Sequence, residues 1–106
     1  MKYKVIFHTQ AILDIETSFE WGIRNWGKKQ AEKWARQFYK ICKKRLSQFP
    51  EACPIAPESK ALDITIRQLV IDRYCALFIV EDDTVEILYV RGAYSGTMFD
   101  DVDEED

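Results

Sequence analysis

Two segments of the chain place apolar residues at intervals of three and four, the period of an amphipathic helix. The first covers Gln10–Trp26, with Thr9 as its predicted N-cap and Gly27 at its end. Its apolar positions are Ile12, Ile15, Phe19, Ile23 and Trp26. The second covers Lys28–Phe49 and ends at Pro50. Its stripe comprises Ala31, Trp34, Ala35, Phe38, Ile41, Cys42 and Leu46. The pattern predicts a helical hairpin.

The rest of the chain has the composition of β-strands. Residues 2–8 alternate in part, and three further strands are predicted at Ile64–Ile71, Tyr74–Glu81 and Thr84–Arg91. The second of these is apolar on both faces, which indicates a central strand. In the last strand, alternation places Val85, Ile87, Tyr89 and Arg91 on one face. Asp82-Asp83 is the predicted hairpin turn, and residues 52–60 are predicted to form an irregular loop.

These elements predict an α+β fold. An N-terminal strand and a helical hairpin precede a three-stranded antiparallel meander, and all the strands form one twisted sheet. At 106 residues the chain is long enough for one two-layer core. We expect a single domain over residues 1–99, followed by an acidic tail over residues 100–106.

Charge is segregated along the chain. The tail holds six of the 18 acidic residues, so the rest of the chain has 15 basic against 12 acidic residues. Between Arg24 and Arg45 there are nine Lys or Arg residues and one acid, Glu32. On the predicted second helix the polar face carries Lys29, Lys33, Arg36, Lys40, Lys43 and Lys44. This face is either solvated or a contact surface for an anionic partner, with the tail as solubiliser or internal competitor.

Cysteine and histidine usage disfavours a metal site. Cys42, Cys53 and Cys75 lack paired ligand spacing, and His8 is the single histidine of the sequence. We expect reduced, buried thiols, a structural role for His8, no metal and no cofactor. Neither a long apolar run nor a signal-peptide pattern is present, so a cytoplasmic location is expected.

In the order of its elements and motifs the chain resembles the RelE/ParE superfamily of type II toxins, over residues 1–96. The long helical hairpin is more similar to the ParE branch, the plasmid stabilisation proteins, than to the RelE branch. The residues that carry the resemblance are Ala11, Asp14-Ile15, Ala31, Phe38, Leu46 with Pro50, Arg67-x-Leu69, Tyr74, Leu77-Phe78, Asp82/Asp83, Val85, Ile87-Leu88 and Val90-Arg91.

The resemblance implies a toxin that a cognate antitoxin neutralises. RelE-like members cut mRNA on the ribosome with basic and tyrosine side chains, whereas ParE-like members poison DNA gyrase. The RelE-like pattern has arginine after the strand tyrosine, but here Cys75 follows Tyr74, and a thiol cannot replace a guanidinium. That pattern also places His or Arg just after the last strand, where Gly92 follows Arg91. We therefore favour a ParE-like toxin that binds its target, gyrase by resemblance, over an enzyme.

Two alternatives stay open. One is a ribosome-dependent endoribonuclease that uses Arg67, Arg91 and Tyr74, and the other is a non-toxic remnant that only binds an antitoxin. Arg67 and Arg91 can face one another across the sheet as an anion-binding patch, with Arg73 nearby. The predicted target- or partner-binding residues are Arg67, Arg73, Arg91, Tyr94, Lys33, Arg36 and Lys40.

Overall fold

Four strands form one mixed sheet, and two long helices pack against one of its faces. The computed structural model describes residues 2–92, so Tyr94 and the acidic segment 100–106 lie outside the described residues. The elements in chain order are β1 (Lys4–Phe7), α1 (Thr9–Trp26), α2 (Lys28–Gln48), a 3-10 turn (Pro50–Ala52), α3 (Glu58–Leu62), β2 (Arg67–Ile71), β3 (Tyr74–Glu81) and β4 (Thr84–Gly92). The predicted α+β fold and helical hairpin are confirmed.

The strand order in the sheet is β1-β4-β3-β2. β1 runs parallel to β4, while β2, β3 and β4 form the predicted antiparallel meander. β3 is an inner strand, as its apolar composition indicates. Both hairpin turns contain two residues, and Asp72 and Asp82 begin them with φ of 55°. Aspartate tolerates this left-handed backbone better than most residues.

The ends of α1 differ in how well the sequence predicts them. His8, not Thr9, is the N-cap: its Nδ1 accepts a hydrogen bond from the Gln10 amide at 3.4 Å. The structural role expected for His8 is therefore that of the N-cap of α1. Gly27 ends α1 as predicted, with φ 95° and ψ 156°, a backbone region that is essentially restricted to glycine.

The main core lies between the helices and the sheet. α2 contributes the predicted stripe, of which Ala31, Phe38, Cys42 and Leu46 are buried. The prediction for α1 is wrong in detail, because its buried residues are Ala11, Ile15 and Gly22. Ile12, Ile23 and Trp26 keep 37%, 36% and 41% of their surface exposed.

Gly22 explains part of the difference between the predicted and the observed buried face of α1. A Cβ at position 22 would lie 3.0 Å from the Trp26 ring and 3.2 Å from the Ala31 Cβ. The two helices therefore approach closely at this glycine, and the indole of Trp26 lies beside the contact. An apolar period read from large residues alone misses a face built from alanine and glycine.

The segment predicted as an irregular loop contains the start of α3, and β2 begins at Arg67, three residues later than predicted. Ser59 binds the loop that follows α3, because its hydroxyl accepts a hydrogen bond from the Ile66 amide at 2.6 Å. Ala56 and Ile66 pack on Leu77, on the sheet face opposite α1 and α2. The 49–66 segment thus covers one part of that second face, which we call the open face.

β4 contains a bulge that the predicted alternation lacks. Leu77 pairs with Tyr89 but Phe78 pairs with Ile87, so Leu88 is an extra residue. Val85 and Ile87 share one face as predicted, and that face packs on the helices, but after the bulge Val90 faces the helices instead of Tyr89. Tyr89 and Arg91 consequently lie on the open face, and the prediction that they share a face with Val85 is wrong.

Asp14 ties α1 to β4 just after this bulge. β1 ends opposite Ile87, so the outer edge of β4 has no neighbouring strand beyond that residue. The Asp14 Oδ2 atom accepts a hydrogen bond from the Val90 amide at 2.9 Å, and Oδ1 accepts one from the Gln10 side chain at 2.9 Å. The Asp14 carboxylate thus accepts the backbone hydrogen bond that a neighbouring strand would accept at Val90.

Candidate functional site

Arg91 lies at the centre of a polar cluster on the open face, which we call the Arg91 cluster (Arg91, Glu58, Gln68 and Tyr89). Arg91 Nε donates to Glu58 Oε2 at 2.6 Å, and Nη2 donates to Glu58 Oε1 at 3.3 Å. The Tyr89 hydroxyl donates to the same carboxylate at 3.2 Å, and Gln68 Oε1 accepts from Arg91 at 3.2 Å. Glu58, at the start of α3, therefore holds the strand-end arginine that the sequence singled out.

The electrostatics of this cluster follow from its half-buried position. The side chains of Arg91 and Glu58 are 21% and 25% exposed. Hydrogen bonding from Arg91 lowers the pKa of Glu58, and the same contact raises the pKa of Arg91. Burial raises the pKa of Tyr89, and the Glu58 carboxylate adds to that effect. At neutral pH the cluster is therefore an ion pair with a neutral phenol.

Cys75 is the neighbour of Arg91 on β3, because the two residues are paired in register. The side chain is buried, and burial raises the pKa of the Cys75 thiol although the adjacent Arg91 lowers it. The thiol is thus neutral at physiological pH and is not activated as a nucleophile.

The structure does not bring Arg67 and Arg91 together. Arg67 pairs with Phe78, which belongs to the helix-facing core, whereas Arg91 lies on the open face. Arg67 Nη1 donates to the backbone carbonyl of Cys53 at 2.8 Å and so fastens the preceding loop to β2. The anion-binding patch expected between the two arginines is absent from the described residues.

Tyr74, the third residue of the ribonuclease alternative, also lies apart from Arg91. Its ring packs against Trp34, with centroids 5.0 Å apart, and against Phe38 at 6.3 Å. It therefore belongs to the helix side of the sheet. Arg91 thus shares its face of the sheet with neither of the other two candidate catalytic side chains.

Tyr74 contributes instead to a groove between α2 and the β2–β3 turn, which we call the aromatic groove. Its volume is about 630 Å³. A smaller groove beside it is lined by Trp21 of α1 and shares Arg73 and Tyr74. The residues that line the aromatic groove are Trp26, Gln30, Trp34, Gln37, Asp72, Arg73 and Tyr74. The predicted partner-binding residue Arg73 is thus exposed beside aromatic rings, where a guanidinium can stack on a ligand or partner.

The remaining predicted residues lie on the exposed face of α2. Lys33, Arg36 and Lys40 are exposed, as are the other cations of that face. In the described part of the chain the single ion pair is that of Arg91 with Glu58, so the α2 cations have no carboxylate partner there. Tyr94 lies outside the described residues.

Within residues 2–92 no cluster of three His, Cys, Asp or Glu side chains could hold a metal ion. The three cysteines are buried free thiols, and burial raises the pKa of Cys42 to about 12. The helices described are too short or too polar to cross a membrane.

Sequence reasoning missed Glu58 and Gln68. Glu58 is 33 residues from Arg91 in the chain and lies in the segment predicted to be an irregular loop, so no local pattern indicates its role. Gln68 was passed over between the two motif residues Arg67 and Leu69. Asp14 differs from these two, because it is one of the residues that carry the resemblance. In the structure its carboxylate accepts a hydrogen bond from β4.

Comparison with known proteins identifies the fold. No family model and no curated protein matches the sequence. Eleven chains of solved structures match it. One belongs to a structure described as the chromosomal ParDE TA system from P. aeruginosa, with a TM-score of 0.70 and 16% identity. The match covers 86% of this chain and 96% of that chain. The chain therefore has the ParE-like fold that the sequence predicts.

Proposed function

We propose that this chain is the toxin of a type II toxin–antitoxin module, that it is ParE-like, and that an antitoxin neutralises it. The observation that carries the proposal is the likeness to a chain of the ParDE TA system, which extends over 86% of this chain. This chain also has the long helical hairpin on which the ParE-like resemblance rests. A cytoplasmic location is part of the proposal.

The arrangement of the arginines supports binding rather than RNA cleavage. Cleavage by this superfamily's ribonucleases needs cationic groups that are free to stabilise a phosphate. Here Glu58 already neutralises Arg91, and Arg67 is hydrogen-bonded to a backbone carbonyl. Cys75 has a neutral thiol beside Arg91 in place of a guanidinium. A phosphate at Arg91 would have to displace the Glu58 carboxylate first.

We infer that the target contacts the exposed cations rather than the Arg91 cluster. Arg73 lies in the aromatic groove, while Lys33, Arg36 and Lys40 lie on the exposed face of α2. Long-range attraction by such a face accelerates association with an anionic surface. By resemblance to the ParE branch, the proposed target is DNA gyrase.

Two assays with the purified chain test the proposal together. A gyrase supercoiling assay is run beside a ribosome-dependent mRNA cleavage assay, at the same protein concentrations. We expect inhibition of supercoiling without cleavage, and relief of the inhibition by the protein encoded next to this gene if it is the antitoxin. The Arg91→Ala variant serves as a matched control, because loss of cleavage in this variant would identify a ribonuclease.

The other outcomes of these two assays would identify one of the two alternatives to a ParE-like toxin. Cleavage of mRNA without an effect on gyrase would replace the proposal with the endoribonuclease. No effect in either assay, together with normal growth when the chain is overexpressed alone, would identify the non-toxic antitoxin-binding remnant.

A further inference from the structure

The aromatic groove has two properties that the fold itself does not require. Trp26, which lines it, keeps 41% of its surface exposed, although its ring contacts that of Trp21 in the neighbouring groove, with centroids 5.3 Å apart. Trp34 Nε1 is buried and has no hydrogen-bond acceptor among the described residues. A buried indole donor that lacks an acceptor is unfavourable. Exposed rings beside such a donor are typical of a surface that binds another segment.

We propose that this groove binds residues 96–106 of the same chain. In this arrangement Met98 and Phe99 pack against the aromatic rings, and the carboxylates of residues 100–106 lie against Lys33 and Lys40 of α2. The inference does not depend on the proposed toxin function, and a target that binds Lys33 and Lys40 has to displace this segment.

The position of Gly92 supports this occupant. Gly92 pairs with Tyr74, which lines the groove, so the last described residue lies beside the groove. An extended chain spans about 3.3 Å per residue, which lets Asp100 reach about 26 Å from Gly92. The groove residues Gln30 and Gln37 are about 10 Å apart along α2. The segment is therefore long enough to cross the groove and reach the basic face.

Charge complementarity supports the same occupant. Lys33 is one turn from both Gln30 and Gln37, and Lys40 is one turn beyond Gln37, so both lysines flank the groove. Neither has an ion-pair partner in residues 2–92. The segment supplies six carboxylates directly after two large apolar residues. The groove lining itself contains one acidic residue, Asp72, which is offset by its neighbour in the chain, Arg73.

Zero-length cross-linking tests the contact in the full chain. A carbodiimide joins a carboxylate to a lysine amine only where the two groups touch. We expect peptides that link Lys33 or Lys40 to residues 100–106, in several-fold higher yield than links from the exposed controls Lys4 and Lys60. The yield should fall in 1 M salt, where the Debye length is about 3 Å. Equal yields for all four lysines, or links found solely in cross-linked dimers, would overturn the proposal.

The apolar half of the contact has its own test. The indole N–H signals of a ¹⁵N-labelled full chain are compared with those of Phe99→Ala and of the control Val102→Ala. We expect Phe99→Ala to shift the signals of Trp26 and Trp34, and Val102→Ala to leave them in place. Indole signals that are unchanged by Phe99→Ala would show that the segment does not occupy the groove.

Discussion

Glu58 is the residue on which the Arg91 cluster depends, because its carboxylate accepts hydrogen bonds from both Arg91 and Tyr89. We expect Glu58→Ala to lower the free energy of unfolding by about 1–2 kcal/mol, since a half-buried guanidinium loses its charged partner. Urea unfolding measures this, with Glu20→Ala at an exposed position of α1 as the control. A loss equal to that of the control would mean that the ion pair adds no stability.

The same carboxylate makes part of the stability depend on pH. Hydrogen bonding from Arg91 lowers the folded-state pKa of Glu58, so the stabilisation is complete above the unfolded value of about 4.3 and is lost as pH falls through the folded pKa. We expect the difference in unfolding free energy between the wild type and Glu58→Gln to be constant from pH 7 to 5 and to shrink below about pH 4. A difference that persists unchanged at pH 2.5 would contradict this assignment.

The junction of α1 with β4 depends on the hydrogen bond from the Val90 amide to Asp14. Asp14→Ala leaves that amide without an acceptor, and we expect a loss of about 1–3 kcal/mol together with faster hydrogen exchange at Val90. Asp14→Asn retains a carbonyl oxygen and should restore most of the protection. Equal exchange rates at Val90 in the wild type and in Asp14→Ala would refute this role.

The turn between α1 and α2 depends on the backbone of Gly27. Because its φ of 95° with ψ of 156° is unfavourable for any residue with a Cβ, we expect Gly27→Ala to destabilise the chain by about 1–3 kcal/mol. No atom lies within 4 Å of the added Cβ, so the cost is one of backbone strain rather than of contact. Thermal unfolding measures the loss against the neighbouring control Lys28→Ala, which should be close to neutral.

For the molecule as a whole, the exposed cations of α2 are expected to serve binding rather than folding. Changing Lys33, Arg36 and Lys40 together to Gln should alter the unfolding free energy by no more than about 0.5 kcal/mol per site. We expect the same variant to lose growth inhibition and to bind the proposed partners more weakly, most clearly at low salt.

The matched control for this variant changes Lys2, Lys4 and Lys60 to Gln. These three lysines are exposed and lie outside α2 in the chain, and changing them removes the same charge. If both triple variants lose activity equally, net charge rather than the α2 face is responsible. If neither loses activity, the α2 face has no part in binding.

The sequence alone predicts the elements that depend on local pattern. α2 and β3 have apolar patterns that continue over their whole length, and they are found within one residue of the predicted bounds. The turn at Asp82 and the end of α1 at Gly27 depend on single residues with special backbone preferences, and they are found where expected. Together with the order of motifs, this was enough to predict the fold.

The tertiary structure decided which side chains of the candidate site meet. The bulge at Leu88 turns Arg91 to the open face, and no local signal marks it, since a bulge is a property of the pairing between two strands. The partners that define the site are likewise remote in the chain: Glu58 is 33 residues from Arg91, and Asp14 is 76 from Val90. Periodicity reports the environment of a residue within its own element, whereas a contact between remote residues exists only once the sheet and helices have packed.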